Sequence, residues 1–537
     1  MPKILINEED FTTPGTPDGY ANYTVLIPGF MGDGDGTTVK PDANGVYEFH
    51  SYQDFEDTIG RVEPHYEADN TNISHYGNQM AYELLKLGYP VLYLPINKNN
   101  LVATLTNAAT WEIFRDKATY DFRFVHHGLL ESTEPAVLTK LQNEADNLIE
   151  TLQLLHNEEV IVFDKNALTV TVGGSAYEIG QSPDQRFEEV YTSEQAYSAL
   201  LESLNSDESQ LEDDNLKDAE GNYYTSGHDA AVAVLQKLQD TIIEKDACVA
   251  ESVINAVNTN IANLAMYTAD DAVGIPGRGD CIALIELDEN SYTNTASAAK
   301  PEIQIRDAIQ RLSTAMGDMA GCGKYCALTV PSVYYNDGRK FPGGFHYLSC
   351  FINSLRQGFA EWYAAAGYTR GVSSYVIDHT SVKLGEIAIN ALEPRQKQVD
   401  GQIACNVIAN FRGSYYLWGN RTAHPLNDSD LTASSFLNIR QLCTTIKKQL
   451  YVACRRFTFD PNSDTLWFNF VNAIKPTLEA MKADQGVRDY KIMKITTDKK
   501  ATLKAKIRII PIEAVEDFDL TVSLEDSFGE TAAVVTE

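Results

Sequence analysis

The chain has 537 residues, which at about 150 residues per domain predicts roughly three to four domains. Its residues are 44% hydrophobic, 10% aromatic and 22% charged, a globular composition that excludes wholesale disorder, collagen and coiled coil. The 75 acidic residues outnumber the 43 Lys and Arg residues, so the net charge is −32. A field of that sign opposes generic binding to nucleic acid or to an anionic membrane.

The first residues and the cysteines indicate the cellular compartment. No apolar run approaches the ~18 residues of a membrane span, and the start of the chain has no basic region followed by an apolar one. The eight cysteines are scattered in apolar contexts, as expected of reduced thiols. Only Cys322 and Cys326 are close, and a structural zinc site needs four well-spaced ligands. We therefore expect a soluble intracellular protein without a metal.

The N-terminal part is predicted to be an arm followed by an α/β unit. Residues 1–20 combine a short apolar piece with an acidic stretch rich in proline and glycine, which is typical of an arm. Residues 21–130 then give a strand from Tyr23, a glycine-rich turn, a helix ending at Gly88 and a buried strand at 90–96.

The next segment, 131–245, differs in composition. Residues 131–220 hold 21 Asp and Glu against four basic residues, a net charge of −17. Such a charge is typical of a solvated face, so we expect an acidic insertion on the surface. In 246–395, long helices alternate with buried strands, which predicts a doubly wound layer with parallel strands.

Motifs of catalysis are weak throughout the chain. The nearest match to a phosphate-binding loop, 321–325, has Asp318 where the first glycine belongs and Tyr325 where a hydroxyl ligand belongs. Neither G-x-S-x-G nor H-E-x-x-H occurs, and the pair His126–His127 is expected to be packed or exposed rather than catalytic. We therefore expect neither an enzyme nor a cofactor, although an α/β nucleotide- or cofactor-binding enzyme built on 250–395 stays the alternative.

The last third is predicted to form a C-terminal core domain at 396–512 and a strand with an acidic tail at 513–537. A helix at 437–454, with Ser434 or Ser435 as N-cap, is followed by a strand at 455–459. Pro461 then opens a helix at 462–483. Three strands follow, YKIMKIT, LKAKIRIIPI and FDLTVSL, and the last two alternate apolar and polar residues.

Four stretches of this region, in order, resemble the family of contractile tail sheath proteins. Trp418-Gly419-Asn420-Arg421-Thr422 is similar to the family's W-G-x-R-T, although alanine is commoner where Asn420 stands. LNIRQL at 437–442 resembles V-N-V-R-R-L, and FDPNSDTLW at 459–467 resembles F-E-P-N-x-x-x-L-W. The two final strands resemble the family's ending. The resemblance covers about 400–525 and extends plausibly to the α/β region from 250.

The resemblance implies a mixed α/β (α+β) multidomain fold: a sheath core, a C-terminal mixed sheet with helices, an inserted outer domain and extended terminal arms. It also implies a structural subunit of a virion or related injection particle, assembled in the bacterial cytoplasm. Such subunits form stacked six-membered rings around an inner tube and contract without consuming nucleotide. The implied partners are the chain itself, the inner tube, the baseplate and the tail terminator, with no direct contact to nucleic acid or membrane.

Three groups of candidate site residues follow. The inter-subunit arms are expected at Lys3, Ile4, Leu5, Ile6, Ile507, Ile509, Phe518, Leu520, Val522 and Leu524. Residues 440–508 carry 15 basic and six acidic side chains, and the cations expected to face an acidic tube are Lys447, Lys448, Lys475 and Lys482. The structural signature, expected to maintain the fold with both tryptophans as core anchors, is Trp418, Gly419, Arg421, Pro461 and Trp467.

Overall fold

A computed structural model of the chain describes residues 23–60, 75–97, 100–133, 135–172, 175–179, 193–206, 214–246, 248–267, 277–293, 297, 299–319, 321–393, 402–426, 431–497 and 501–514. The predicted arm at 1–20 and the predicted strand at 518–524 lie outside the described residues. No helix in the described ranges is long and apolar enough to cross a membrane.

Strands and helices alternate along most of the chain. The strands are β1 (Val25–Phe30), β2 (Tyr47–Phe49), β3 (Val91–Ile96), β4 (Phe124–His126), β5 (Phe163–Asp164), β6 (Thr169–Val172), β7 (Ser175–Glu178), β8 (Ile282–Ile285), β9 (Cys326–Val330), β10 (Val333–Tyr335), β11 (Lys340–Phe341), β12 (Ile377–Thr380), β13 (Asn406–Phe411), β14 (Ser414–Trp418), β15 (Val487–Ile495) and β16 (Lys504–Pro511). The helices are α1 (Tyr52–Ile59), α2 (Gly77–Lys86), α3 (Leu101–Thr106), α4 (Ala108–Glu112), α5 (Pro135–Asn157), α6 (Glu194–Ser206), α7 (Gly227–Asp246), α8 (Glu251–Ala265), α9 (Pro301–Ala315), α10 (Gly343–Arg356), α11 (Gly367–Arg370), α12 (Glu386–Leu392), α13 (Leu437–Arg456) and α14 (Asp464–Ala483).

An eight-stranded sheet in the order β14-β13-β9-β8-β4-β1-β3-β2 forms the centre of the molecule. Its six inner strands are parallel, and β2 and β14 add to its two edges in antiparallel pairs. The two α/β units predicted at 21–130 and 246–395 therefore share one sheet, which also takes two strands from the predicted C-terminal domain.

The central strands are buried on both sides, because helices cover both faces of the sheet. Leu26, Val125 and Ala283 point into one core, which α3, α4, α8, α9 and α12 cover. Val25 and Ile27 point into the other core, which α1, α2 and α10 cover. The predicted doubly wound arrangement is therefore present.

Residues 135–246 form a separate unit between β4 and α8. It contains α5, α6, α7 and the antiparallel sheet β5-β6-β7, and it has its own apolar core. The chain enters and leaves this unit at one place, because the backbone N–H of Thr133 donates to the carbonyl of Val249 at 2.7 Å. The N–H of Val249 donates back to the hydroxyl of Thr133 at 3.0 Å.

The C-terminal unit consists of α13, α14 and the antiparallel hairpin β15–β16. Its core joins the second half of α13, one face of α14 and one face of the hairpin, together with Trp362 from the central body. The small antiparallel sheet β11-β10-β12 lies beside the central sheet.

Several predicted boundaries are wrong in the C-terminal half. The predicted strand at 455–459 is the end of α13 and a turn, in which the N–H of Phe457 donates to the carbonyl of Cys454 at 3.2 Å. Neither Ser434 nor Ser435 caps α13, whose N-cap is Phe436. Helix α14 begins at Asp464, with Ser463 as N-cap, and Pro461 lies outside it.

Candidate functional site

The carboxyl ends of the central strands, where a doubly wound sheet binds its ligand, are filled by buried side chains. His126 of β4 places Nε2 3.0 Å from Oε1 of Glu286, which follows β8. The N–H of Gly344 in α10 donates to the same oxygen at 2.7 Å. In the described ranges, no group of three or more His, Cys, Asp or Glu side chains is placed to hold a metal ion. This geometry does not favour the alternative of a nucleotide-binding enzyme.

The histidines at these strand ends are core residues in the neutral state. The N–H groups of Gly128 and Leu129 donate to Nδ1 of His126 and His127 at 2.8 and 3.0 Å. A ring nitrogen that accepts a hydrogen bond carries no proton, so Nε2 carries it in both rings. Burial lowers the pKa of His126 to about 3 and that of His75 beside it to about 4. The sequence predicted that the pair His126–His127 is packed or exposed, and the structure shows that it is packed.

Two of the sequence motifs bind each other through a pair of asparagines. Asn420, in the W-G-x-R-T stretch, donates from Nδ2 to Oδ1 of Asn438 at 2.8 Å. The N–H of Asn438, near the start of α13, donates back to Oδ1 of Asn420 at 3.0 Å. The N–H of Leu437 also donates to the carbonyl of Asn420 at 3.0 Å. The two motifs therefore fix the junction between the central sheet and the C-terminal unit.

Gly419 and Arg421 are constrained by close contacts. A Cβ at Gly419 would lie 2.7 Å from Cα of Asn406 in β13, so the position has no room for a side chain. Arg421 is buried, with Nε 3.2 Å from Oε1 of Glu393 and its guanidinium 4.7 Å from the ring centre of Phe436. These contacts support the predicted role in maintaining the fold.

The other signature residues lie elsewhere than predicted. Trp418 and Trp467 are half-buried rather than core anchors. Trp418 stacks edge-on against Tyr368 and Phe411, with ring centres 5.0 and 4.8 Å apart. Pro461 is exposed. The two tryptophans therefore pack at the edges of two cores rather than at their centres.

The first half of α13 is buried on all sides, although many of its side chains are polar. Arg123, which precedes β4, donates to Oε1 of Gln441 at 3.0 Å and to the hydroxyl of Thr445 at 2.6 Å. Gln441 donates in turn to the hydroxyl of Tyr347 in α10 at 3.0 Å. This network attaches the C-terminal unit to the central sheet, because Gln441 and Thr445 of α13 are hydrogen-bonded to Arg123 and Tyr347 outside the unit.

Lys447 and Lys448 belong to the same buried surface, so the prediction that they face a tube is wrong. Lys447 is 7% exposed and donates to the carbonyl of Gly279 at 2.9 Å. Lys448 is 5% exposed, donates to the carbonyl of Phe122 at 2.8 Å and forms an ion pair with Asp121. Their ammonium groups are already bonded within the chain.

Lys475 and Lys482, on α14, are exposed. Lys482 forms an ion pair of 2.9 Å with Asp489 of β15, so it balances a nearby acid of its own chain. At the other end of α14, Lys494 of β15 contacts Asp464 at 2.8 Å. Of the four cations, Lys475 is thus the exposed one for which the described residues show no ion pair.

The hairpin β15–β16 has a buried face and two edges. Ile509 is buried in the C-terminal core, and Ile507 packs against the same core. In the described part of the chain the two strands pair only with each other. A two-stranded sheet is barely stable alone, so the packing on α14 holds it in place.

No protein-family model and no curated protein sequence matches the chain. Among solved structures, a chain of the cryo-EM structure of the anti-feeding prophage baseplate is similar with 13% identity and a TM-score of 0.50, over 98% of this chain and 99% of that chain. The contracted PVC sheath complex of an extracellular contractile injection system gives 10% identity and a TM-score of 0.49, over 98% of each chain. A sheath tail protein from Listeria innocua gives 8% identity and a TM-score of 0.36, over 93% of this chain and 97% of that chain.

The match to the baseplate chain shows a shared fold over nearly the whole of both chains. It confirms the predicted mixed α/β multidomain fold. The sequence missed the buried polar half of α13. Leu437, Ile439, Leu442 and Ile446 form its visible apolar stripe, and nothing in the sequence signals that the polar residues between them are buried as well.

Proposed function

We propose that this chain is the subunit of a contractile tail sheath. Subunits polymerise as stacked six-membered rings around an inner tube and contract to drive that tube through a target cell envelope. The observation that supports this most is the fold shared with the anti-feeding prophage baseplate chain over nearly the full length of both chains. The four C-terminal motifs support the same function. Two of them contact each other where the central sheet meets α13.

The partners follow from this function. They are further copies of the chain, the inner tube, the baseplate and the tail terminator, and the location is a phage tail or a related injection particle assembled in the bacterial cytoplasm. Contraction is an interface rearrangement between two packed states, so it requires no nucleotide and no catalytic residue.

Negative-stain electron microscopy of the purified chain tests the proposal. Striated hollow tubes are the expected result. Discrete particles that bind nucleotide with saturable affinity would instead favour an α/β enzyme built on residues 250–395.

The exposed side of α14 is proposed to face the tube, with Lys475 as its cation. Exposed ion pairs are weak, about 0.2–1 kcal/mol each, but they repeat along a polymer. Lys475→Glu should therefore reduce co-assembly of sheath and tube at low salt while leaving the subunit folded. Lys165→Glu, on the insertion, is the matched control. Equal co-assembly of both variants would contradict the tube-facing role.

The terminal arms are proposed to link neighbouring subunits by adding strands to the hairpin β15–β16, whose edges are open in the described part of the chain. Each strand contributes several backbone hydrogen bonds of about 0.5–1.5 kcal/mol net. Deleting residues 1–18 should leave a folded protein that does not polymerise. Tubes of normal length from this truncated chain would show that the N-terminal arm is dispensable.

A further inference from the structure

The hairpin β15–β16 has a second face, which points away from the C-terminal core. Since Tyr490, Ile492, Ile507 and Ile509 pack into that core, the residues that alternate with them lie on the opposite side. We call this side the cationic face. Its members are Asp489, Lys491, Met493, Ile495, Lys504, Lys506, Arg508 and Ile510.

Within the described part of the chain, cations outnumber acids on this face. Lys491 lies directly opposite Arg508 in the strand register, and like charges in that position are destabilising. Among the described residues, no carboxylate pairs with Lys491, Lys504 or Arg508. Asp489, the one acid of the face, is engaged by Lys482. Lys491, Lys504 and Arg508 therefore lie on this face without an acidic partner among the described residues.

The face also has an apolar component. Ile510 is 48% exposed, and Met493 and Ile495 are half-buried between the cations. A surface of this kind gains from a partner that supplies carboxylates and excludes water at the same time.

We propose that the cationic face docks against an acidic surface of a second copy of this chain. The inference rests on the proposed function, because a sheath places copies of one chain side by side. Copies that each carry a net charge of −32 repel one another unless a basic surface meets an acidic one. Each copy supplies both kinds, since residues 131–220 alone have 21 acids and four bases.

A polymeric polyanion fits the face less well than a second copy. The field of the whole chain repels nucleic acid at a distance, and the cations lie beside the exposed Ile510 and the half-buried Met493 rather than along an extended groove. Binding of duplex DNA through Lys491 and Arg508 is the outcome that would replace the proposal.

Assembly of a charge-reversed chain is the first test. Lys491→Glu with Arg508→Glu should raise the critical concentration for tube formation about tenfold at low salt, because docking then brings like charges together. Its dependence on salt, between about 50 and 500 mM, should be reduced or inverted relative to the unaltered chain. The matched control is Lys300→Glu with Arg306→Glu, which reverses one exposed lysine and one exposed arginine on and beside α9. Equal behaviour of the two variants would overturn the proposal while leaving the sheath function intact.

Zero-length cross-linking is the second test, and it does not require tubes. A mixture of ¹⁵N-labelled and unlabelled full-length chains is treated with a carbodiimide, which joins lysines to carboxylates in contact. Peptides that join Lys491 or Lys504 of one isotope to an acid of the other are expected in any oligomer that forms. Cross-links of these lysines confined to one isotope would overturn the proposal. Failure of the unaltered chain to form tubes concerns the proposed function instead.

Discussion

Asn420 and Asn438 show how single side chains fix the junction between the central sheet and the C-terminal unit. Both are buried, and each satisfies the other, through Nδ2 of Asn420 and the N–H of Asn438. Asn438 also donates to the carbonyl of Trp362 at 3.1 Å. The family resemblance offers alanine at position 420, so this chain has an additional polar contact where the family pattern has an apolar one.

Replacing either asparagine should lower the stability of the subunit. Asn420→Ala leaves the buried Oδ1 of Asn438 without its donor and should lower the free energy of unfolding by about 1–3 kcal/mol. The double variant with Asn438→Ala should lose less than the sum of the two single variants, because no half-satisfied amide remains. Denaturant unfolding of the soluble subunit gives the three values.

Asn472→Ala, on the exposed side of α14, is the control and should change the stability by less than about 0.5 kcal/mol. Strict additivity of the two buried substitutions would show that the pair does not act as a unit.

At the scale of elements, regular patterns were predictable and long-range pairings were not. Helix α2, which has an apolar face, ends at Lys86, two residues before the predicted end at Gly88. The long helices α8 and α9 alternate with the buried strands β8 and β9, as predicted for 246–395. The pairing of β4 with β8 joins Phe124 to Ile282 across the whole insertion, and no local pattern specifies it. The stretch 455–459 alternates like a strand, but the tertiary packing of α13 overrides that pattern.

In the candidate surface, too, long-range contacts were not predictable from the sequence. The basic character of 440–508 was visible in the sequence, whereas the separation of its lysines into buried and exposed ones was not. Lys447 and Lys475 look alike in sequence, and the burial of Lys447 with its contact to Gly279 distinguishes them. That contact depends on a loop far from α13 in the sequence.

The insertion at 135–246 should be removable as one unit. Its two connections are adjacent in space at Thr133 and Val249, and it has its own core. Replacing residues 134–247 with a short Gly-Ser linker should therefore leave a body that unfolds in one cooperative transition, measured by circular dichroism.

Removing only α6 is the contrasting variant. It takes Tyr197, Leu200 and Leu204 out of the insertion's core, so it should expose that core to proteolysis while the central sheet stays folded. A linker variant that fails to fold would mean that the insertion stabilises the body.

The whole molecule contains buried histidines that resist protonation, and this couples its stability to pH. Burial lowers the pKa of His346 to about 3, and its Nδ1 lies 3.0 Å from the hydroxyl of Tyr335. In the unfolded chain a histidine takes up a proton near pH 6.5. The unfolded state then binds one more proton than the folded state, so this group's contribution to stability is lost as the pH falls from about 6.5 towards 3.

His346→Gln should remove the one proton that the unfolded chain takes up at this position. Plotted against pH between about 6 and 4, the free energy of unfolding of the variant should have a slope smaller by about 1.4 kcal/mol per pH unit. An unchanged slope for the His346 variant would show that the buried ring is protonated in the folded state.

The border strands of the eight-stranded sheet affect how subunits behave before they assemble. One border is β2, which is only three residues long, and the other is β14, whose Leu417 N–H is already taken by the carbonyl of Gly371 at 2.8 Å. Short or covered borders do not template further strands. The central sheet therefore does not drive subunits that await assembly into amyloid-like ribbons. In the described part of the chain, open strand edges remain at the hairpin β15–β16.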